Sequence, residues 1–209
     1  MDKRIDGEIV EVNGPIVTVR LANVLNGEQV RIGKLGLVGE VIGRDGGHAV
    51  VQVYESTESV CPGEAVEPLG HPLTVELGPG LLGGIFDGVQ RPLAEIYRQS
   101  GDHIARGLSV VPLDRAHTWS FVPSTKLAPG KPAPAGAILG TVQETRTIEH
   151  RVLVPPDIAG DLVELARAGE YTVDQTIARV KTADGTVREL KLYHRWPVRV
   201  PRPYRRRDH

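Results

Sequence analysis

A glycine-rich stretch in the middle of the chain imitates a phosphate-binding loop. Residues 76–93 read ELGPGLLGGIFDGVQRPL and contain the spacing Gly78-x-Gly80-x-x-Gly83. In a dinucleotide-binding fold this spacing follows a strand and opens directly into a helix, whose first amides bind the pyrophosphate. Here two more glycines and Pro92 come next, and these residues do not sustain a helix. We expect a crossing of the chain that needs positive φ and close backbone contact instead of a dinucleotide site.

Other nucleotide and catalytic motifs do not occur in this sequence. A P-loop needs Gly, four residues and then Gly-Lys-Ser/Thr. The two Gly-Lys pairs, at 33–34 and 130–131, are followed by leucine and by proline. Asp102 and His103 are adjacent in sequence, which is more typical of surface polar residues than of a catalytic pair. We therefore assign no catalytic or cofactor-binding residue.

The pattern also argues against a metal and against a carried prosthetic group. Seven histidines show no close ligand pair, and Cys61, the single cysteine, allows neither a zinc cluster nor an internal disulfide. A lipoyl or biotinyl domain presents its modified lysine at a tight hairpin inside a short signature. The candidate lysines lack that setting; they are Lys126, Lys131, Lys181 and Lys191.

A basic segment forms the end of the sequence. Residues 193–209 read YHRWPVRVPRPYRRRDH, with Trp196 and Tyr204 interleaved among arginines, a composition that could stack on RNA and neutralise it. The arginines are Arg195, Arg199, Arg202, Arg205, Arg206 and Arg207. The whole chain has a formal net charge of −1, so it offers no general attraction to nucleic acid or membrane. We expect an extended solvent-facing or subunit-facing segment, and no nucleic-acid partner.

The elements that position these residues are mainly β-strands. The sequence has 24 glycines, 16 prolines and only 4% aromatic residues, a composition that predicts many turns and short strands. Residues 4–69 give alternating strands, with a hairpin signal at Asp45-Gly46-Gly47, and predict a small antiparallel barrel.

The second half of the chain predicts a different β module. Leu93 opens a short helix that ends at Gly101, and strands return from residue 107, beginning with GLSVVPLD. The Pro-rich residues 126–136 predict an ordered loop or strand connection. The strands around Pro155-Pro156 and Gly160, followed by a tight turn at Ala183-Asp184-Gly185, are similar to a barrel-sandwich module of lipoyl-carrier type.

Three blocks of the sequence resemble one protein family. They are LVGEVIGRDGGHAVVQVYEST (37–57), GHPLTVELGPGLLGGIFDGVQRPL (70–93), and VLVPPDIAGDLVELARAGEYTVDQTIARV continuing to LKLYHRWPVR (152–199). Their order and spacing resemble the N-terminal part of the catalytic A subunit of V-type and archaeal-type rotary ATPases, over nearly the whole chain.

The resemblance implies a domain organisation. Residues 1–69 would be the N-terminal β-barrel and 70–110 the incomplete start of the α/β nucleotide-binding domain. Residues 111–190 would be the inserted bulge domain, and 191–209 a return strand and basic tail. In that family the P-loop follows the Trp-Pro-Val-Arg block, here Trp196 to Arg199, so we expect a fragment that ends before it.

The resemblance also implies a function. The parent protein would couple ATP synthesis or hydrolysis to proton or sodium transport, with ATP or ADP and Mg²⁺ as its cofactors. This chain alone would hold no cofactor and would be inactive, because the groups that position phosphoryl transfer are missing from it. Its implied partners are the B subunits that alternate with A in a hexameric head, and peripheral-stalk subunits.

Two further expectations concern location and alternatives. The N-terminus lacks the apolar core of a signal peptide, and no apolar run approaches the roughly 20 residues that span a bilayer. We expect a cytoplasmic chain that is peripheral to a membrane through its complex. The alternative is a standalone lipoyl-like or RNA-binding β module without catalysis.

Overall fold

The computed structural model describes residues 7–102 and 105–204. These residues divide into two compact units. The barrel unit consists of residues 7–75, 86–102, 105–110 and 197–199. The sandwich unit consists of residues 76–85, 111–196 and 200–204. Each unit has its own cluster of buried apolar side chains.

Six antiparallel strands close into a barrel in the order β1-β2-β5-β4-β3-β6. The strands are β1 (Gly7–Asn13), β2 (Ile16–Leu21), β3 (Glu28–Ile32), β4 (Leu37–Asp45), β5 (His48–Val53) and β6 (Ala65–Pro72). Closure leaves no free edge on this sheet. The predicted N-terminal barrel is confirmed.

Alternation of apolar and polar residues explains why the barrel strands face as they do. Val17, Val19 and Leu21 of β2 are at most 3% exposed, and the residues between them point away from the core. At the predicted hairpin, Gly46 and Gly47 have φ of 51° and 89°, values that a glycine adopts without a Cβ clash. Asp45 then pairs with His48 across the turn, as the hairpin signal predicts.

The segment after the barrel contains the single helix among the described residues. Helix α1 (Leu93–Ser100) buries Ile96 and ends at Gly101, whose N–H donates to the Tyr97 carbonyl oxygen at 2.8 Å. Strand β7 (Thr74–Leu77) pairs with β16 (His194–Pro197) in a two-stranded sheet. No helix among the described residues is long and apolar enough to cross a bilayer.

The expected strand at residues 107–114 is wrong. These residues form turns and irregular backbone, and the strand that follows begins at Thr118. Leu113 is 1% exposed while Val111 is 54% exposed, so the segment buries one anchor residue. The Leu108 carbonyl oxygen accepts from the Arg91 guanidinium at 3.4 Å, a contact made outside any strand ladder.

The sandwich unit consists of two four-stranded sheets, in the orders β11-β10-β8-β13 and β15-β14-β12-β9. The first contains β8 (Thr118–Pro123), β10 (Ile138–Gln143), β11 (Glu149–Leu153) and β13 (Gly169–Thr172). The second contains β9 (Pro132–Ala133), β12 (Gly160–Leu165), β14 (Thr176–Thr182) and β15 (Val187–Lys191). Their shared core includes Phe121, Leu139 and Ile177. The mainly β fold class is confirmed, and the Pro-rich connection is ordered and contributes β9.

Candidate functional site

Residues 76–85 of the glycine-rich stretch form a tight crossing within the sandwich unit. Gly80 and Gly83 have φ of 101° and 83°, which favours glycine over residues with a Cβ. A Cβ added to Gly78 would lie 2.5 Å from the Cβ of Tyr193, so the backbone approaches its neighbour too closely for a side chain. The expectation of positive φ and close contact is confirmed.

The amides that would face a phosphate in this loop already bind a carboxylate of the chain. The N–H groups of Gly80 and Leu82 donate to Oε1 of Glu144 at 2.7 and 3.1 Å. The other carboxylate oxygen of Glu144 lies 3.1 Å from Nδ1 of His150, and its side chain is only 3% exposed. An anion entering this loop would have to displace a buried carboxylate that makes three polar contacts. Both loop amides are therefore already satisfied within the chain.

A second cluster in the sandwich unit surrounds Glu76. Nη2 of Arg115 lies 2.7 and 2.6 Å from the two carboxylate oxygens of Glu76, and Nη2 of Arg195 lies 3.3 Å from Oε1. The Arg115 guanidinium also lies 4.6 Å from the centre of the Tyr193 ring. Burial alone would lower the pKa of Arg115, but the hydrogen bonds and charge of Glu76 raise it overall. These charges stabilise one another.

The barrel unit has a corresponding cluster around Arg91, which is 9% exposed. Its Nε lies 2.7 Å from Oδ2 of Asp87 and its Nη1 lies 3.1 Å from Oε2 of Glu55. The same Glu55 oxygen accepts from the Gly107 N–H at 3.0 Å. Burial would raise the pKa of Asp87, but hydrogen bonds from the Arg91 backbone and side chain and from Val89 lower it overall.

A third cluster, also in the barrel unit, joins Arg199 to Glu40. The Nε and Nη2 atoms of Arg199 donate to the two carboxylate oxygens of Glu40 at 2.5 and 2.8 Å, and the Tyr54 hydroxyl also donates to this carboxylate. Glu40 is 2% exposed. The Arg199 hydrogen bonds lower the pKa of Glu40, in opposition to burial, which raises it.

A cleft of about 630 Å³ opens in the sandwich unit. Near it, Nη1 of Arg202 lies 2.7 Å from Nε2 of His194, and the Arg202 guanidinium lies 5.4 Å from the centre of the Trp196 ring. Burial and then the charge of Arg202 lower the pKa of His194 to about 4. At neutral pH the ring is therefore uncharged, and its Nε2 accepts a hydrogen bond from Arg202.

The lysines considered as carriers do not lie at hairpin tips. Lys181 lies within β14 and pairs with Val187 of β15, and the turn between these strands has Asp184-Gly185 at its tip. Lys191 lies 3.2 Å from Asp174 in an ion pair. The other two, Lys126 and Lys131, lie in the connection between β8 and β9.

The structure describes some of the residues that were weighed for catalysis or metal binding. In the part of the chain that the structure describes, no three His, Cys, Asp or Glu side chains are grouped to hold a metal ion. Cys61 is exposed, and Asp102 is an exposed turn residue. His103 lies outside the described residues, as do Arg205, Arg206 and Arg207 of the basic segment. Its described arginines 195, 199 and 202 each make the intramolecular contacts given above.

Two family models match the chain on the two units that carry these clusters. The "ATP synthase alpha/beta family, beta-barrel domain" matches residues 3–70, and the "ATPsynthase alpha/beta subunit barrel-sandwich domain" matches residues 110–199. The chain belongs to the ATP synthase alpha/beta family.

The similar proteins within this family are alpha chains or A subunits of V-type and A-type ATP synthases. The V-type ATP synthase alpha chain of Nitrosococcus oceani is 59% identical over 97% of this chain and 34% of its own length. The A subunit of the A-type ATP synthase of Thermococcus kodakarensis is 50% identical over 96% of this chain and 34% of its own length. That of Pyrococcus abyssi is 50% identical over 95% of this chain and 20% of its own length.

The resemblance expected from the sequence is therefore confirmed. The chain spans about a third of the length of the first two relatives and corresponds to a partial, N-terminal region of the catalytic A subunit of a V-type or A-type ATP synthase. The standalone lipoyl-like or RNA-binding module is not favoured.

Sequence reasoning missed Glu144 and Glu40, the two carboxylates that organise the loop and the barrel cluster. Glu144 lies 64 positions from Gly80, and Glu40 lies 159 positions from Arg199. No local spacing connects partners so far apart. For Glu40 the usable signal was a glutamate inside the otherwise apolar start of β4, since a buried carboxylate requires a partner. Glu144 follows the end of β10 and gives no such signal.

Proposed function

We propose that this chain is the assembly region of the A subunit of a rotary ATPase and does not itself carry out nucleotide chemistry. The observation that carries the proposal is the occupation of the glycine-rich loop by Glu144, with Gly80 and Leu82 donating to it. The loop is thereby a fixed structural crossing, and the remaining chemistry belongs to parts of the longer relatives outside this match. The whole protein would couple ATP synthesis or hydrolysis to proton or sodium transport.

The proposed partners are the B subunits of the same complex, with peripheral-stalk subunits as additional ones. The family membership supports a role inside a rotary complex, and the closed barrel supports packing beside neighbouring barrels without open strand edges. The chain would lie at the membrane only through that complex, on its cytoplasmic side.

The test is assembly with the cognate B subunit. The purified B subunit is mixed with this chain, and the mass of each eluting species is measured by light scattering after size exclusion. A species containing both chains is expected, and a mixture of this chain with serum albumin is the control. Separate elution of the two chains up to about 50 μM would contradict the proposal, since specific assembly contacts usually give tighter binding.

The absence of nucleotide chemistry is tested separately. ATP and Mg²⁺ are added to the purified chain and the release of phosphate is measured. A full-length A subunit is the positive control. We expect no phosphate release above buffer, and release alone decides this test. Turnover that co-purifies with the chain through two columns and persists in independent preparations would overturn this part of the proposal.

A further inference from the structure

The cleft of the sandwich unit is wide enough for a small molecule and is basic. Its volume of about 630 Å³ lies within the usual range of ligand pockets. Four permanently cationic side chains line it, against two carboxylates, so its formal charge is +2 before histidines are counted. The cations are Arg151, Lys191, Arg195 and Arg202, and the carboxylates are those of Asp157 and Glu189.

The carboxylates available to these cations are unevenly distributed. Lys191 is paired with Asp174 at 3.2 Å, and Arg195 is paired with Glu76 at 3.3 Å. Glu189 is occupied by Arg179, whose Nη2 lies 3.0 Å from its Oε1. Within residues 7–102 and 105–204, neither Arg151 nor Arg202 has an ion pair with a carboxylate.

Arg202 is held in position by neutral groups. The His194 ring accepts from its Nη1 at 2.7 Å, and the Trp196 ring lies beneath the guanidinium, 5.4 Å from ring centre to Cζ. Both contacts orient the guanidinium without neutralising it, unlike a carboxylate. A guanidinium fixed in this way offers its remaining N–H groups to an oxyanion at a reduced cost in side-chain entropy.

The rest of the lining is apolar. Leu77, Pro155 and Ile158 border the same cleft as Arg151 and Arg202. A bare inorganic ion would leave these surfaces in contact with water, whereas an organic group attached to the anion would cover them. The lining therefore matches a ligand with an anionic head and an apolar or carbon-based body.

We propose that this cleft binds a small phosphorylated organic molecule, with Arg202 and Arg151 contacting its phosphate oxygens. A guanidinium group can donate two parallel N–H hydrogen bonds to two oxygens of one phosphate. This geometry favours phosphate over an anion that offers a single acceptor atom. The proposal is separate from the assembly role, because neither Arg202 nor Arg151 is part of the glycine-rich loop or of the barrel.

Calorimetric titration of the full chain tests the proposal, with inorganic pyrophosphate and a hexose phosphate as probes. We expect saturable binding of both at 150 mM salt, with sulfate binding at least about tenfold more weakly. Arg202→Gln removes the oriented guanidinium and should raise Kd for both probes about tenfold or more. Arg202→Lys keeps the charge but loses the fork, and should recover only part of the affinity.

The matched control is Arg188→Gln, which removes the same charge from an exposed position of β15 that does not line the cleft. It should change Kd less than about twofold. Unchanged tryptophan emission and hydrogen exchange of β14 would show that Arg202→Gln keeps the fold. Absence of binding below about 10 mM, or equal weakening by Arg188→Gln and Arg202→Gln, would overturn the proposal. Neither result would affect assembly with the B subunit.

Discussion

Buried charged residues that contact an opposite charge are the positions of this chain where we expect substitution to reduce stability most. Glu40, Glu76 and Arg91 are each at most 9% exposed and lie in the three clusters described above. A buried charge without its partner is costly, so such residues are sensitive to substitution even where they perform no chemistry. At this scale one prediction concerns a carboxylate and another a histidine.

Glu40→Gln should destabilise the barrel. The substitution keeps the shape but removes the charge that accepts from Arg199 and Tyr54, and we expect a loss of about 1–3 kcal/mol in the free energy of unfolding. Hydrogen exchange of the β4 and β5 amides measures it locally. Glu8→Gln is the control, because Glu8 forms an exposed pair with Arg20, with side chains 51% and 64% exposed, and should cost less than about 0.5 kcal/mol. Equal effects of the two variants would show that the Glu40 cluster adds nothing beyond a surface pair.

His194 should make the stability of the sandwich unit depend on pH in mildly acidic solution. The pKa of His194 is about 4 in the folded chain and 6.5 ordinarily, so the unfolded chain binds more protons between these values. The free energy of unfolding should therefore fall as pH drops from about 6.5 towards 4. Carboxylates with lowered pKa values act towards the acid end, because the contribution of Glu189 is lost below its usual value of 4.5 and that of Asp174 below 3.8.

Urea titrations at several pH values test this prediction, with emission from Trp119 and Trp196 of the sandwich unit as the signal. His194→Gln keeps an acceptor for Arg202 but does not titrate, so its stability should fall less over the same interval. Parallel pH profiles for the two proteins would assign the dependence to other groups.

At the scale of elements, the Glu144 carboxylate accepts from two amides of the glycine-rich loop. Glu144→Ala leaves the N–H groups of Gly80 and Leu82 without their acceptor, and we expect their amide exchange to accelerate about tenfold to a hundredfold, because bonds to charged acceptors are the stronger ones. Glu149→Ala, an exposed change at the start of β11, is the control and should leave this exchange unchanged. Unaltered protection in Glu144→Ala would mean that backbone packing alone fixes the loop.

The elements also show what the sequence could predict. The hairpins at Asp45-Gly46-Gly47 and at Asp184-Gly185 were predictable because glycine is required where φ is positive, and each sets the register of two strands. Strand β13 was not predicted, since GEYT begins with two residues that are depleted in strands and becomes a strand by pairing with β8. Residues 107–114 were predicted as a strand because of their apolar composition. The prediction was wrong because composition does not reveal whether a neighbouring strand is available to pair with them.

For the candidate site, the positive φ and close backbone contact of the glycine-rich stretch were predictable from its glycines. The contacts of Glu144 with this loop were not predictable. Glu144 binds the loop from the end of β10, and only the pairing of β10 with its neighbours brings that carboxylate to the loop. Sequence spacing constrains local backbone geometry, whereas such side-chain contacts depend on the assembled sheets.

At the scale of the whole molecule, the proposed assembly role predicts that the two units contribute differently to binding of the B subunit. If barrels pack beside barrels in the head, an outward apolar residue of the barrel should matter more for B-subunit binding than one of the sandwich. Ile42 of β4 and Val163 of β12 are matched for this purpose, being 46% and 47% exposed on strands. Single outward apolar residues otherwise occur on any protein surface.

Ile42→Asp should weaken the complex with the B subunit by about tenfold or more, because a charge in an apolar contact loses its hydration. Val163→Asp places the same charge on the sandwich unit and should change affinity less than about twofold. Biolayer interferometry with immobilised B subunit measures both, and melting curves confirm that each variant is folded. Stronger weakening by Val163→Asp would place the contact on the sandwich unit and contradict the assignment of assembly to the barrel.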